Sequence, residues 1–138
     1  MIEEKDIVVR EFKGADAPLM LNIVSDLIFA LWINPASNMK PMIEDPKEFF
    51  AKKLEGDTDA LVEDMLLFTK LSPDYVKVIA SFALNEKTNT EYSYIINSVS
   101  IDEFFIVAKK VLLTFINKFN STVFFSSLKN RLIYTKNT

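Results

Sequence analysis

The stretch SIDEFFIVAKKVLLTFINKFNSTVFFSSL, residues 100–128, decides the fold. Ser100 and Glu103 have the spacing of a capping box, in which each side chain bonds the backbone N–H of the other residue, so a helix begins here. Apolar residues then recur at steps of three and four, which places them on one helical face. This face comprises Ile101, Phe104, Phe105, Ala108, Leu112, Phe115, Ile116 and Phe119.

The same helix carries further apolar residues outside that face, namely Ile106, Val107, Val111 and Leu113. A helix that is apolar around most of its girth is buried on several sides or bound by a partner. We expect Phe105, Leu112 and Ile116 to lie in the core.

Asn120, Ser121 and Thr122 favour a kink or break before a last helix over residues 123–133. Phe124 and Phe125 follow this break, so we expect them nearer to a contact surface.

The rest of the chain reads mainly as helices, over residues 17–32, 46–55, 58–71 and 73–84, with Asp16 and Asp45 as N-caps. DIVVREF, residues 6–12, alternates like a strand, which would cap a helix edge, pair with another copy or form an extended arm. Residues 85–90 form a polar loop, and residues 92–97 suit a strand or a helical turn equally.

These patterns predict one helical domain over residues 1–138. The predicted fold class is all-α, a small bundle of about five to six helices, with or without one short N-terminal strand. The N-terminal arm, residues 1–14, and the tail, residues 134–138, are candidates for flexibility.

Composition excludes several kinds of chemistry, because the chain has no Cys and no His. Thiol nucleophiles, thiolate metal sites and imidazole acid–base catalysis all need these residues. Asp57, Asp59, Glu63 and Asp64 cluster in sequence, but their spacing matches no calcium loop and suits helix N-termini. We therefore expect no enzyme activity, no metal and no cofactor.

Charge divides the chain, since residues 1–64 carry 14 acidic and 7 basic side chains and residues 65–138 carry 5 and 9. The basic C-terminal part favours an acidic partner, such as the acidic front of a neighbouring copy, or is a solvated helix face. The pI near 5.0 opposes nucleic-acid binding. The apolar run over residues 15–33 contains Asn22, Ser25 and Asp26, so we do not interpret it as membrane-spanning, and the protein is expected inside the cell.

Aromatic residues on and after the long helix are the candidates for partner binding. Phe104 and Phe105 are adjacent, as are Phe124 and Phe125, and neighbours on a helix point about 100° apart. One member of each pair is therefore either buried by another element or left for a partner. The loop over residues 33–45 adds flexible Met side chains. The candidate partner-binding residues are Phe104, Phe115, Phe119, Phe124, Phe125, Met39 and Met42.

Short motifs give the chain a family resemblance. The segment VVREF, residues 8–12, precedes an apolar helix, LSPDY at 71–75 begins another, and SIDEF at 100–104 leads into the long helix. That helix reaches VLL at 111–113 and Asn117 before the Phe124–Phe125 step. This order resembles the tail assembly chaperones of long-tailed bacteriophages, although residues 120–122 intervene before the two phenylalanines.

The resemblance implies a small helical protein that binds the hydrophobic, helical tape-measure protein. It would keep that protein soluble, help to recruit tail-tube subunits and self-associate head to tail. It would act in the cytoplasm of the infected bacterial host and be absent from the mature virion. The alternative is a small helical inhibitor or regulatory protein, also of phage type, that binds one defined protein target as a monomer or closed dimer.

Overall fold

Helices predominate in the structure, as predicted, but a small antiparallel sheet accompanies them. The computed structural model describes residues 4–33, 45, 47–48, 51, 73–119, 125–127 and 129–131. The helices whose bounds lie within the described residues are α1 (Ala17–Ile33), α2 (Pro73–Ser81), α3 (Tyr92–Ile95) and α4 (Ile101–Lys118), with 3₁₀ turns at Glu4–Asp6 and Gly14–Asp16. The strands are β1 (Ile7–Val9), β2 (Ala83–Asn85) and β3 (Thr90–Glu91). The all-α prediction therefore holds for the predominance of helices and fails for the sheet.

Helix α4 begins at the predicted cap and supplies much of the core. The Glu103 N–H donates to Ser100 Oγ over 3.2 Å, and the helix ends at Lys118, before the proposed break. The prediction that Phe105, Leu112 and Ile116 are core is confirmed, since they are at most 6% exposed. The buried residues of α4 are Phe105, Val107, Ala108, Val111, Leu112, Phe115 and Ile116.

The buried face of α4 is wider than the predicted one on one side and does not include its first residue. Ile101, expected inside, is 71% exposed, while Val107 and Val111, expected off the face, are fully buried. Helix α4 packs against both α2 and β1. Burial on two sides covers residues that a single stripe would leave outside.

Strand β1 confirms the predicted N-terminal strand, although it is shorter than residues 6–12. It pairs antiparallel with β2 of the same chain, with Val8 opposite Leu84. Two bonds extend the ladder, because the Arg10 N–H donates to the Phe82 carbonyl over 2.9 Å and the Glu86 N–H to the Asp6 carbonyl over 2.8 Å. Ile7 is 1% exposed, so this part of the arm is built into the core.

A hairpin replaces the predicted end of the helix over residues 73–84 and the polar loop after it. The Phe82 N–H bonds the Ile79 carbonyl in a tight turn, after which the chain extends into β2. Asn85 Oδ1 accepts the N–H groups of Lys87 and Thr88, and the chain returns as β3, paired with β2. Backbone pairing with β1 thus outweighs the helical pattern at Ala83 and Leu84.

The two other predicted caps have different outcomes. Asp45 behaves as expected, because its Oδ1 accepts the Glu48 N–H over 3.0 Å. Asp16 directly precedes α1, but its carboxylate accepts the Lys13 N–H within the preceding 3₁₀ turn. Most of the predicted helices over residues 46–55 and 58–71, and the acidic cluster at residues 57–64, lie outside the described residues.

Candidate functional site

An open groove of about 320 Å³ lies between the segment after β1 and the C-terminal end of α4. We call it the aromatic groove. Its volume is at the small end of the range for ligand sites, roughly 300–1,000 Å³. Its lining combines aromatic rings with charged side chains from two parts of the chain, namely Glu11, Phe12, Lys13, Gly14, Ala17, Phe115, Lys118 and Phe119.

Four phenylalanines form a continuous row that runs from the core into this groove. The rings of Phe82 and Phe12 lie 4.9 Å apart between centroids, and Phe12 meets Phe115 edge-on at 5.2 Å. Phe115 then stacks on Phe119 at 5.4 Å with an angle of 9° between the rings. Aromatic pairs at these separations attract beyond their area burial, so the row gives the groove a firm floor.

Two rings of this row are buried and two are partly exposed. Phe82 and Phe115 are 2% and 4% exposed, whereas Phe12 and Phe119 are half-buried. Phe119 is the C-cap of α4, and its N–H donates to the Phe115 carbonyl over 2.8 Å. The apolar face of Phe119 is therefore held in position at the point where the helix ends.

The rim of the groove is charged. Glu11, Lys13 and Lys118 are all exposed, with Lys118 in the last turn of α4. A cation is favourable at that place because a helix C-terminus carries partial negative charge. The groove thus combines an apolar floor with two ammonium groups and one carboxylate at its edge.

One wall of the groove is an irregular segment tied by side chains. Arg10 Nη1 lies 3.3 Å from Asp16 Oδ2, which also accepts the Lys13 N–H over 2.8 Å. The Lys13 hydrogen bond, with a smaller contribution from the Arg10 guanidinium, holds the pKa of the Asp16 carboxyl below its ordinary value, although partial desolvation opposes this. Asp16 therefore remains ionised under ordinary conditions.

A second polar cluster, at the β-hairpin, has a structural role. Tyr92 is fully buried and its hydroxyl accepts from Asn85 Nδ2 over 3.2 Å, while Lys87 Nζ lies 3.3 Å from Asp6. Burial raises the pKa of the Tyr92 hydroxyl, and the negative charge of Glu103 raises it further. These contacts join the 3₁₀ turn before β1, the hairpin and α3.

The predicted partner-binding residues divide among several places. Phe115 and Phe119 line the aromatic groove, with Phe115 as buried floor. Phe104 is half-buried beside Phe105 near the start of α4, about 22 Å along the helix axis from Phe119. Phe124, Met39 and Met42 lie outside the described residues.

Phe125 corrects one expectation. It is 8% exposed and belongs to the same buried cluster as the inner face of α4, so its ring is buried and not exposed as expected. The chain is helical again at residues 125–127, after the predicted break. This second helical stretch buries its aromatic side chain against the core, and Lys47 Nζ lies 5.9 Å from the ring.

Sequence reasoning missed Phe12, Lys13 and Lys118 as groove residues. A signal for Phe12 was present, because it is an aromatic residue at the end of a predicted strand and directly precedes the Lys13–Gly14 turn. Its proximity to Phe115 depends on a contact across more than one hundred residues, which no local pattern reports.

Two basic residues of α4, Lys110 and Lys118, have different surroundings. Lys110 Nζ donates to the Ile7 carbonyl over 2.6 Å, so it ties the helix to β1. Lys118 stands at the groove instead.

The described residues contain no group of three carboxylates placed to hold a metal ion. Within the same part of the chain, no helix is both long and apolar enough to cross a membrane. The aromatic groove combines an apolar floor with a charged rim, a lining that can receive an apolar side chain of a protein. No protein-family model, no curated protein and no solved structure matches this chain.

Proposed function

We propose that this protein is a non-enzymatic tail assembly chaperone of the long-tailed bacteriophage type. It binds the hydrophobic, helical tape-measure protein, keeps it soluble and helps to recruit tail-tube subunits. It acts in the cytoplasm of the infected bacterium and leaves before the virion is complete. The observation that best supports this proposal is the half-buried Phe119 ring in an open, aromatic-floored groove.

An apolar helix is the partner that the groove suits. Such a helix presents anchors at steps of three, four and seven residues, and a groove of about 320 Å³ accepts one bulky anchor at a time. The lysines at positions 13 and 118 would meet carboxylates that flank the anchor on the partner's polar side.

A single contact of this size is weak, and the proposed function requires it to be weak. A long partner offers many anchors, so many copies bind along it and gain by avidity. Head-to-tail contacts between copies would add to this, because an interface that does not close generates an open spiral. Weak individual contacts also allow the coat to be released as tail-tube subunits assemble.

The test is co-expression with the tape-measure protein encoded in the same genome. The native chain should raise the soluble fraction of the tape-measure protein several-fold, and Phe119→Ala should lose most of this gain. Phe104→Ala truncates a half-buried phenylalanine outside the groove, itself a candidate from the sequence, and should keep most of the gain if the groove is the binding site. The proposal fails if the tape-measure protein is equally insoluble with and without the native chain.

A further inference from the structure

We propose that Arg10 and Asp16 form a clasp that fixes residues 11–14 as the wall of the aromatic groove. Both are then positioning residues, which act on a partner through the wall and not by touching it. The effect of the clasp on partner affinity rests on the proposed function. Its effect on the order of residues 11–14 rests on geometry alone.

The clasp closes around the wall. Arg10 Nη1 lies 3.3 Å from Asp16 Oδ2, and the same oxygen accepts the Lys13 N–H over 2.8 Å. The Asp16 N–H returns a bond to the Lys13 carbonyl over 2.9 Å. The four wall residues, Glu11, Phe12, Lys13 and Gly14, all lie between the two ends of this ring.

The clasp is itself anchored to the core at Arg10. The Arg10 backbone N–H donates to the Phe82 carbonyl, and Arg10 Nε donates to the Ser81 carbonyl over 3.2 Å. The guanidinium also lies 3.9 Å from the centre of the Phe82 ring, a favourable cation–π position. The wall is therefore connected to the end of α2 and to the first ring of the aromatic row.

The wall needs such a connection because most of it has no regular secondary structure. Residues 10–13 lie between the end of β1 and the next 3₁₀ turn. An irregular segment that orders only on binding loses affinity through its conformational entropy, and a segment that is ordered beforehand avoids that loss. The pair is partly exposed, with side-chain exposures of 46% and 21%, and exposed pairs add little to global stability. Its effect should therefore appear in the groove more than in the melting temperature.

Hydrogen exchange of the full chain tests the wall directly. Asp16→Ala should speed exchange of the Lys13 amide at least about ten-fold, since it removes the acceptor. In Asp16→Asn the Lys13 amide should exchange at a rate between those of the native chain and Asp16→Ala, because the Asn amide oxygen still accepts that N–H. Glu86→Ala, a substitution of an exposed hairpin acid, should leave the Lys13 amide unchanged, and amides within α4 should keep their protection in every variant.

Binding is measured separately, with helical peptides from the tape-measure protein encoded in the same genome. Asp16→Ala should bind about ten-fold more weakly than the native chain, Asp16→Asn should recover part of this, and Glu86→Ala should bind normally. If the Lys13 amide exchanges at the same rate in the native and Asp16→Ala chains, the clasp is overturned, irrespective of the peptide affinities. Faster exchange with unchanged affinity overturns the positioning role. A native chain that binds no peptide contradicts the proposed function. The exchange result still tests whether the clasp orders residues 11–14.

Discussion

Asn89 has a left-handed backbone conformation, with φ at 53°, in the turn that joins β2 and β3. Asn and Gly tolerate this region, while a β-branched side chain does not. We expect Asn89→Val to lower the free energy of unfolding by about 1–2 kcal/mol. Asn89→Gly should change it by less than about 0.5 kcal/mol, because Gly adopts positive φ freely. Urea denaturation measures both, and equal losses for the two variants would contradict the assigned conformation.

The Asp16 carboxyl offers a pH test of the clasp. Its pKa in the folded chain lies below the ordinary value of 3.8. The stability that the ionised carboxylate contributes is therefore present above that pH and is lost as the pH falls through the folded-state pKa. Carbon NMR titration of the Asp16 carboxyl should give a midpoint below 3.8.

Two variants separate the causes of this shift. Arg10→Gln should raise the midpoint while leaving it depressed, because the Lys13 N–H, the larger cause, remains. Lys13→Pro removes that donor together with the smaller effect of the Lys13 charge, and should raise the midpoint more. The reverse order would show that the ion pair, not the backbone bond, dominates.

Single caps were predictable where local sequence supplies both partners. Ser100 and Glu103 are three residues apart, as are Asp45 and Glu48, and both N-terminal bonds form. Asp16 was assigned as a cap from its residue type before an apolar helix, without such a partner, and its carboxylate faces backwards. Arg10 reaches it from β1, and the Lys13 N–H competes for the same oxygen.

At the scale of elements, helix α4 shows the limits of a periodic pattern. The helix, its start and five of its seven buried residues were predicted correctly. Val107 and Val111 were placed outside the predicted face, but the helix has neighbours on two sides and both residues are buried. The apolar residues outside the stripe indicated burial on several sides or a partner, but not which of them would be buried. The number of neighbours is a property of the tertiary fold that the period of the helix does not contain.

Truncations on α4 test the observed face. Leu112→Ala, at a fully buried position, should cost about 2–5 kcal/mol of unfolding free energy, as buried Leu truncations generally do. Ile101→Ala, at a position 71% exposed, should cost less than about 0.5 kcal/mol. Thermal or urea unfolding of the two variants is sufficient. Comparable losses for the two variants would mean that Ile101 is buried, as the sequence predicted.

The β-hairpin was not predictable from its own residues. Ala83 and Leu84 continue the helical pattern of α2, and residues 86–89 are polar. The pairing that makes β2 a strand comes from Val8 and its neighbours, some seventy-five residues earlier. Asn85 marks the turn but not the strands, since its side chain accepts two following N–H groups there.

At the scale of the whole molecule, the sequence predicted one side of the candidate site and not the other. Phe115 and Phe119 were identified as contact candidates from their place on a helix that is too apolar for one stripe. The other wall, residues 11–14, meets them only in the folded chain. Phe125 shows the converse, because a residue past a helix break can fold back into the core.

Self-association is the property of the whole chain that separates the two functions considered. If head-to-tail contacts between acidic and basic parts coat a rod, the mass measured by light scattering should rise steadily with concentration. The rise should weaken with added salt, because salt screens charges at exposed contacts. A fixed mass at all concentrations would instead favour a regulatory protein with one defined target.

The central claim is that the aromatic groove receives apolar side chains of a helical partner. The most direct measurement is a ¹H–¹³C NMR titration of the phenylalanine-labelled chain with a solubilised helical segment of the tape-measure protein. We predict that the ring signals of Phe12, Phe115 and Phe119 shift together and saturate, while those of Phe104 and Phe105 stay in place. Shifts at Phe104 without shifts at Phe119, or no saturable shift at all, would contradict the account.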